Sequence, residues 1–465
     1  MPTTEGAVPF PPVSYTDWRA GVEAEPGPDV VSRRLRATTE DGIAIEPLYA
    51  PGGPGDAEAR NLAGLVVGLL PSGEQGWKIR QRFPANAARE TIDTAIAGGV
   101  QSIEFTWKET DEFLKLFALL PDLGLAGIET SLEGNFAKSL TGFGVSVEKF
   151  GRLSLGIDPI NSFLRNESLT GELVHDVGMV SLLKEWNRPG DIPLRASGDV
   201  FFDAGATSGM TLGMTMASAL AYLRAVESTG ADPAWASGML EVRLPCGPRF
   251  FESAAMLRAA RLVWARILEV SGMVPVPLRL VASTGRRNLT RHDPWNNALR
   301  NTSVALAAAL GGADVLQLLP HDSRTTEPGP AALRLARTTG LILQEEASLG
   351  RVLDPAEGSW FLESLTAELA RVAWEELRRL DAVGGIVAAI ESGDVSRRIA
   401  EAAAARHERV QSRRHPILGV TEYPVEGEAA TRSGLEMAQD EAPSAFPLRP
   451  DALPFELLRD AGEAT

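Results

Sequence analysis

Along the chain, short apolar or β-branched runs alternate with longer stretches in which apolar residues return every three or four positions. The runs at 65–70 (LVVGLL), 102–105 (SIEF), 125–131 (LAGIETS), 152–158 (RLSLGID), 193–200 (PLRASGDV), 240–245 (LEVRLP), 277–284 (PLRLVAST) and 314–320 (DVLQLLP) read as strands. Helical periodicity separates them around 85–97, 109–119, 171–185, 212–229, 251–271, 295–310 and 331–347, and the third crossover is the least marked. Eight strand–helix alternations over about 280 residues predict an α/β fold, a (β/α)8 TIM barrel, with a doubly wound open sheet as the competing arrangement. Residues 1–60 are rich in Pro and Gly and lack periodicity, which predicts an extended N-terminal arm. The barrel then spans 61–350, a helical extension packed on it 351–424, and an extended or disordered tail 425–465.

Composition narrows the function classes. The longest apolar runs fall far short of the roughly 20 residues needed to cross a bilayer, so no membrane partner is expected. The N-terminus lacks the basic start and apolar run of a secretory signal, which makes the cytoplasm the expected compartment. Cys246 is the sole cysteine, and the five histidines show no HxxxH spacing, so neither a disulfide nor a metal site is expected. A net charge of −16 argues against a nucleic-acid partner.

In a TIM barrel the pocket lies at the C-terminal ends of the strands. The fifth run brings Ser197, Gly198, Asp199 and Val200 there. The following AGATSG (204–209) opens a helix whose N–H groups could receive a phosphate or a carboxylate, or it supplies small residues for packing. Asp199 reads either as a general base or, more simply, as a helix cap. Arg286, Arg287, Arg291 and His292 form a basic run suited to anionic phosphates or to acidic residues of a partner, ahead of Asp293 and Pro294 as a helix start. His321 and Asp322 are an acid–base pair or a loop-stabilising one, and Cys246 a nucleophile or a buried small hydrophobe. Periodicity and motifs lead this far, to a barrel with an unassigned mouth.

A resemblance goes further. GWKIRQRF (76–83), SGDVFFDAGAT (197–207), MLRAARLVWARI (256–267), STGRRNLTRHDPWNNALRNT (283–302), LARTTGLILQEEASLGRVLDPAEGSWFLESLT (335–366), AWEELRRLDAVGGIVAAIESG (373–393) and HPILGVTEYP (415–424) resemble the adenosylcobalamin-dependent acyl-CoA mutases, in the same order, and TTEDGIAIEPLY (38–49) resembles the arm before their barrel. In that family the acyl-CoA threads its pantetheine down the barrel, and an adenosyl radical takes a hydrogen from the substrate in a dry cavity. Catalytic members carry SGYH at the end of strand five, where this chain has Asp199 and Val200 in place of the Tyr and His. Gln75 stands where the family has a carboxylate-binding Arg, and Gly156 replaces a Gln of the TIQND strand. Trp77, Arg80, Gln81, Ser197, Gly198 and Arg279 match positions of the family's substrate pocket and are expected to be its vestige.

The resemblance is greatest to the small, non-catalytic subunits of methylmalonyl-CoA mutases. It implies a large catalytic subunit as partner in a heterodimer. DxHxxG, whose His is the lower cobalt ligand in the family, is not found up to Thr465, so adenosylcobalamin is expected on the partner and a cobalamin-binding domain is expected to be lacking here. Two alternatives stand beside this one: a mutase barrel for another acyl-CoA working with a separate cobalamin-binding protein, and a scaffold that binds CoA esters.

Overall fold

A computed structural model describes residues 13–24, 35–62, 64–70, 76–107, 110–123, 125, 127–134, 153–165, 172–178, 180, 191–325, 328–425 and 446–460. Eight parallel strands close into a barrel: β1 Lys78–Pro84, β2 Ser102–Thr106, β3 Glu129–Glu133, β4 Leu153–Ile157, β5 Ile192–Ser197, β6 Leu240–Cys246, β7 Arg279–Thr284 and β8 Val315–Gln317. Each pairs with its neighbours in chain order, and β8 closes on β1 through Val315↔Lys78 and Leu316↔Ile79. The fold is thus the predicted (β/α)8 barrel.

Seven predicted strands lie within a few residues of their place, and the first does not. LVVGLL holds a short helix, Leu65–Gly68, and the first strand is KIRQRFP. The physical reason is that β1 turns Ile79 and Phe83 outward but Arg80 and Arg82 inward, so it never reads as an apolar run. The third crossover, 135–152, lies outside the described residues, as do 179 and 181–190 of the fourth.

Outward positions such as Ile103, Phe105, Leu132, Leu155, Leu194, Val242, Leu244 and Leu280 join the core against a ring of helices, the longest being Ser208–Glu227 and Phe250–Val270. Helix Trp360–Ala382 packs across these two. The loop before it is anchored by Arg258, whose Nη2 donates to Glu363 Oε2 at 2.6 Å and whose Nη1 pairs with Asp354. Within LDPAEGSW, Asp354 stands at a positive φ of 42° and is buried against this arginine.

The arm turns at Glu40–Asp41–Gly42, between the two-residue strands Ala37–Thr38 and Ala44–Ile45. At the other terminus residues 446–460 return to the barrel and end in helix Leu453–Asp460, while 426–445 and 461–465 lie outside the described residues. Among the described residues, no helix is long and apolar enough to cross a membrane.

Candidate functional site

Barrel interiors are usually filled by layers of branched apolar side chains. Here the inward positions alternate with the outward apolar ones and carry charge: Arg80 and Arg82 on β1, Glu104 on β2, Glu129 and Glu133 on β3, Arg195 on β5, Glu241 and Arg243 on β6, and Arg279 on β7. At the N-terminal end Arg80 donates through Nη2 to Glu129 Oε1 at 2.7 Å, through Nη1 to Glu241 Oε1 at 3.0 Å and through Nε to Ser102 Oγ at 2.9 Å. Arg279 Nη2 reaches Glu129 Oε2 at 2.6 Å. Midway, Arg195 donates from Nε to Glu241 Oε1 at 2.9 Å and from Nη2 to Ser131 Oγ at 2.6 Å, with Nη1 3.1 Å from Glu104 Oε1. Toward the mouth Arg82 Nη2 meets Glu133 Oε2 at 2.6 Å, Arg243 Nη1 meets the same oxygen at 2.8 Å, and Gln317 Nε2 donates to Glu104 Oε2 at 2.6 Å.

Asp199 caps this column. Its Oδ2 accepts from Ser197 Oγ and its Oδ1 from Ser283 Oγ, both at 3.0 Å, and Arg243 Nη1 lies 3.5 Å away. Five guanidiniums (Arg80, Arg82, Arg195, Arg243, Arg279) therefore face five carboxylates (Glu104, Glu129, Glu133, Glu241, Asp199), and Lys78 at 3.5 Å from Glu129 and Arg165 at 2.8 Å from Glu133 add two further cations at its edges. The side chains of Arg80, Arg195, Arg243, Glu104 and Glu241 are 0–1% exposed. Burial by itself would raise the carboxyl pKa values. It is outweighed by Arg243 beside Glu104 and by Arg279 and Arg80 beside Glu129, which hold both carboxyls at about 2. Glu133 and Glu241 are likewise held well below the usual range.

Gly156 makes room for one of these arginines. It stands at φ 58° where the β4–β5 register shifts, and a Cβ there would meet Leu132 O at 2.1 Å and Arg195 Nη1 at 2.9 Å. The side chain missing from β4 is replaced in space by a guanidinium from β5.

Of the positions singled out in the sequence, Arg80, Ser197, Arg279 and Asp199 meet in the lumen. Trp77 and Gln81 do not: they lie outside it, Gln81 accepting from Arg337 Nη1 at 3.2 Å and Trp77 buried in the core near Gly340. Gly198 starts helix Asp199–Ala204 packed against Thr211 and Thr215, and Val200 is buried within that helix. Gln75 lies outside the described residues. The residues that the sequence reading passed over are Arg82, Glu104, Glu129, Glu133, Arg195, Glu241 and Arg243. Their signal was a charge at alternate positions of a strand, as in Arg80-x-Arg82, Glu129-x-Ser131-x-Glu133 and Glu241-x-Arg243.

The other motifs are absorbed by the chain itself. The helix start at AGATSG does receive a carboxylate, that of Asp41 in the arm, which accepts from Gly209 N at 3.0 Å and from Thr207 Oγ1. The neighbouring Glu40 holds Arg406, Arg249 and Arg409. The basic run pairs with the C-terminal segment: Arg287 with Asp451, and Arg291 with Glu456, which accepts from its backbone N at 2.6 Å and its Nε at 3.3 Å. Helix Asn296–Leu310 starts later than expected, because Asp293 turns to a φ of 47° and accepts from Asn296 Nδ2 at 2.5 Å. His321 is stacked on Trp295, ring centroids 4.3 Å apart. Burial, reinforced by Asp199, pushes the Cys246 thiol up to about 12, which leaves it protonated and no nucleophile.

Comparison with known proteins gives a consistent set of relatives. The profile described as methylmalonyl-CoA mutase matches residues 155–443. The methylmalonyl-CoA mutase small subunit of Streptomyces virginiae is 35% identical over 448 residues, covering 90% of this chain and 72% of that protein. A probable methylmalonyl-CoA mutase small subunit of Mycobacterium tuberculosis (strain ATCC 25618 / H37Rv) is 34% identical over 475 residues, covering 94% and 72%. The methylmalonyl-CoA mutase large subunit of Propionibacterium freudenreichii subsp. shermanii is 29% identical over 374 residues, covering 77% of this chain and 51% of that protein.

Proposed function

Because the chain belongs to the methylmalonyl-CoA mutase family, we propose that it acts there as a small, non-catalytic subunit, paired with a large catalytic chain that interconverts methylmalonyl-CoA and succinyl-CoA. The observation that carries this reading is the filled lumen. A pantetheine arm would have to displace the Arg80–Glu241–Arg195–Glu104 column from the axis, which would break ion pairs that compensate buried charges. Asp199 and Val200, where a hydrogen-bonding pair would be needed, support the same reading. So do the relatives named as small subunits.

Adenosylcobalamin, which the family resemblance implies, would need an uncharged, open face at the mouth. Here Asp199 caps the axis, Phe446 packs edge-on against Phe201 with centroids 6.5 Å apart, and Arg449 N donates to Asp203 O at 2.8 Å. These residues do not fit the group, and the reading assigns it to the partner. The same lumen argues against a mutase barrel for another acyl-CoA and against a CoA-ester scaffold.

Co-expression with a large subunit tests the proposal. The expected result is a co-purifying complex that turns over methylmalonyl-CoA, with the isolated chain giving no turnover and no calorimetric heat with acyl-CoAs. Turnover by this chain, supplied with adenosylcobalamin and a cobalamin-domain protein, would sink it.

A further inference from the structure

Beside the mouth, at the C-terminal ends of β6 and β7 and apart from the lumen, a cleft of about 320 Å³ opens between the loops after these strands, helix Asn296–Leu310, residues 415–418 and Asp451–Ala452. That volume is at the small end of ligand pockets. Its lining is apolar at Pro248, Met256, Leu299 and Leu418, and charged at Arg249, Arg287, Arg300 and Arg406 against Glu40, Glu252 and Asp451. Leu299 and Leu418 are 70% and 55% exposed.

Arg300 differs from the other three arginines: Arg287 faces Asp451 at 3.7 Å and Arg406 pairs with Glu40 at 2.5 Å. Arg249 is neutralised by Glu40 at 3.1 Å and Glu252 at 3.5 Å. Arg300 has no carboxylate within ion-pair distance among the described residues. Its Nη1 donates to Thr290 Oγ1 at 2.9 Å and Asn297 Oδ1 at 2.7 Å, and its Nη2 to the Leu418 carbonyl at 2.8 Å, all neutral oxygens. A guanidinium carries five N–H donors. Among the described residues the Nε–H and one Nη2–H have no acceptor, and two such donors can take both oxygens of a carboxylate. Burial lowers the pKa of Arg300, with Asp293 and Glu456 opposing it.

We propose that this cleft binds a small carboxylic acid, its carboxylate on the Nε–Nη2 edge of Arg300 and its apolar body against Leu299, Leu418, Pro248 and Met256. An occupant would tie residues 415–418 and 451–452, remote in sequence, to the helices after β6 and β7. The assignment is independent of the mutase reading.

Calorimetry and thermal unfolding of the full chain with hexanoate, hexanamide and inorganic phosphate provide the test. Hexanoate is expected to saturate one site and, at about ten times its Kd, to raise Tm by about 1–2 °C. Hexanamide and phosphate are expected to bind at least about tenfold more weakly, as is hexanoate to Arg300→Gln. Leu299→Glu alters an exposed position, so the fold is kept, and it should weaken hexanoate similarly by placing an anion at the rim. Silence with hexanoate, or undiminished binding in both variants, overturns the proposal. Equal binding of phosphate overturns the role of the apolar body. If hexanoate is silent while both substitutions weaken the hold on a large subunit, Arg300 serves a carboxylate of the partner and the small-acid site is overturned.

Discussion

Glu241 accepts from Arg80, Arg195 and Arg279 at once, so its charge is shared by three guanidiniums from three strands. Glu241→Gln keeps the size and removes the charge. Urea unfolding should show a loss of about 3–5 kcal/mol, the usual cost of stranding buried partners, and a loss below about 1 kcal/mol would mean that water reaches the lumen. Gly156 is constrained differently, by backbone rather than charge. Gly156→Ala drives a methyl into the Leu132 carbonyl at a positive φ, and scanning calorimetry should register a destabilisation of at least about 2 kcal/mol. An unchanged Tm would show that β4 shifts register freely.

Among the elements, helix Ser208–Glu227 takes its N-terminal ligand from 168 residues upstream, since Asp41 Oδ2 accepts the Gly209 N–H. Asp41→Ala is expected to cost about 1–2 kcal/mol in chemical denaturation, and Asp41→Asn less, because an amide oxygen still accepts. Local pattern made most of the barrel readable: strands β2 to β8 carry outward apolar residues strong enough to mark them. β1 escaped because its inward face is Arg80 and Arg82, which breaks the apolar run that marks a buried parallel strand. The lumen escaped for a related reason. Each charge is ordinary within its own strand, and only closure of the barrel brings Arg80 to Glu241, 161 residues away. Asp199 was placed at the mouth by its strand, but its partners Ser283 and Arg243 come from two other strands.

At the scale of the whole molecule, two sets of carboxyls set opposite trends with pH. Burial lifts Asp158 and Asp203 to about 6, so the folded state takes up protons there before the unfolded chain does, and stability should rise as pH falls from about 6 toward 4. Glu104 and Glu129, held at about 2, contribute stability above the unfolded carboxyl pKa that is lost as pH falls from about 4.5 to 2. Tm followed from pH 8 to 3 should therefore pass through a maximum between about 4 and 5, and a steady decline from pH 7 downward would contradict this. The column also bears on what opening this lumen would require. Removing one of its charges leaves the partners buried without it. At about 3–5 kcal/mol for each such loss, against a total stability of about 5–15 kcal/mol, one removal leaves a chain that still folds, and two or three together exhaust the margin. Opposite charges would have to leave in pairs, so a tunnel down this axis is reached more readily by compensated double substitutions than by single ones.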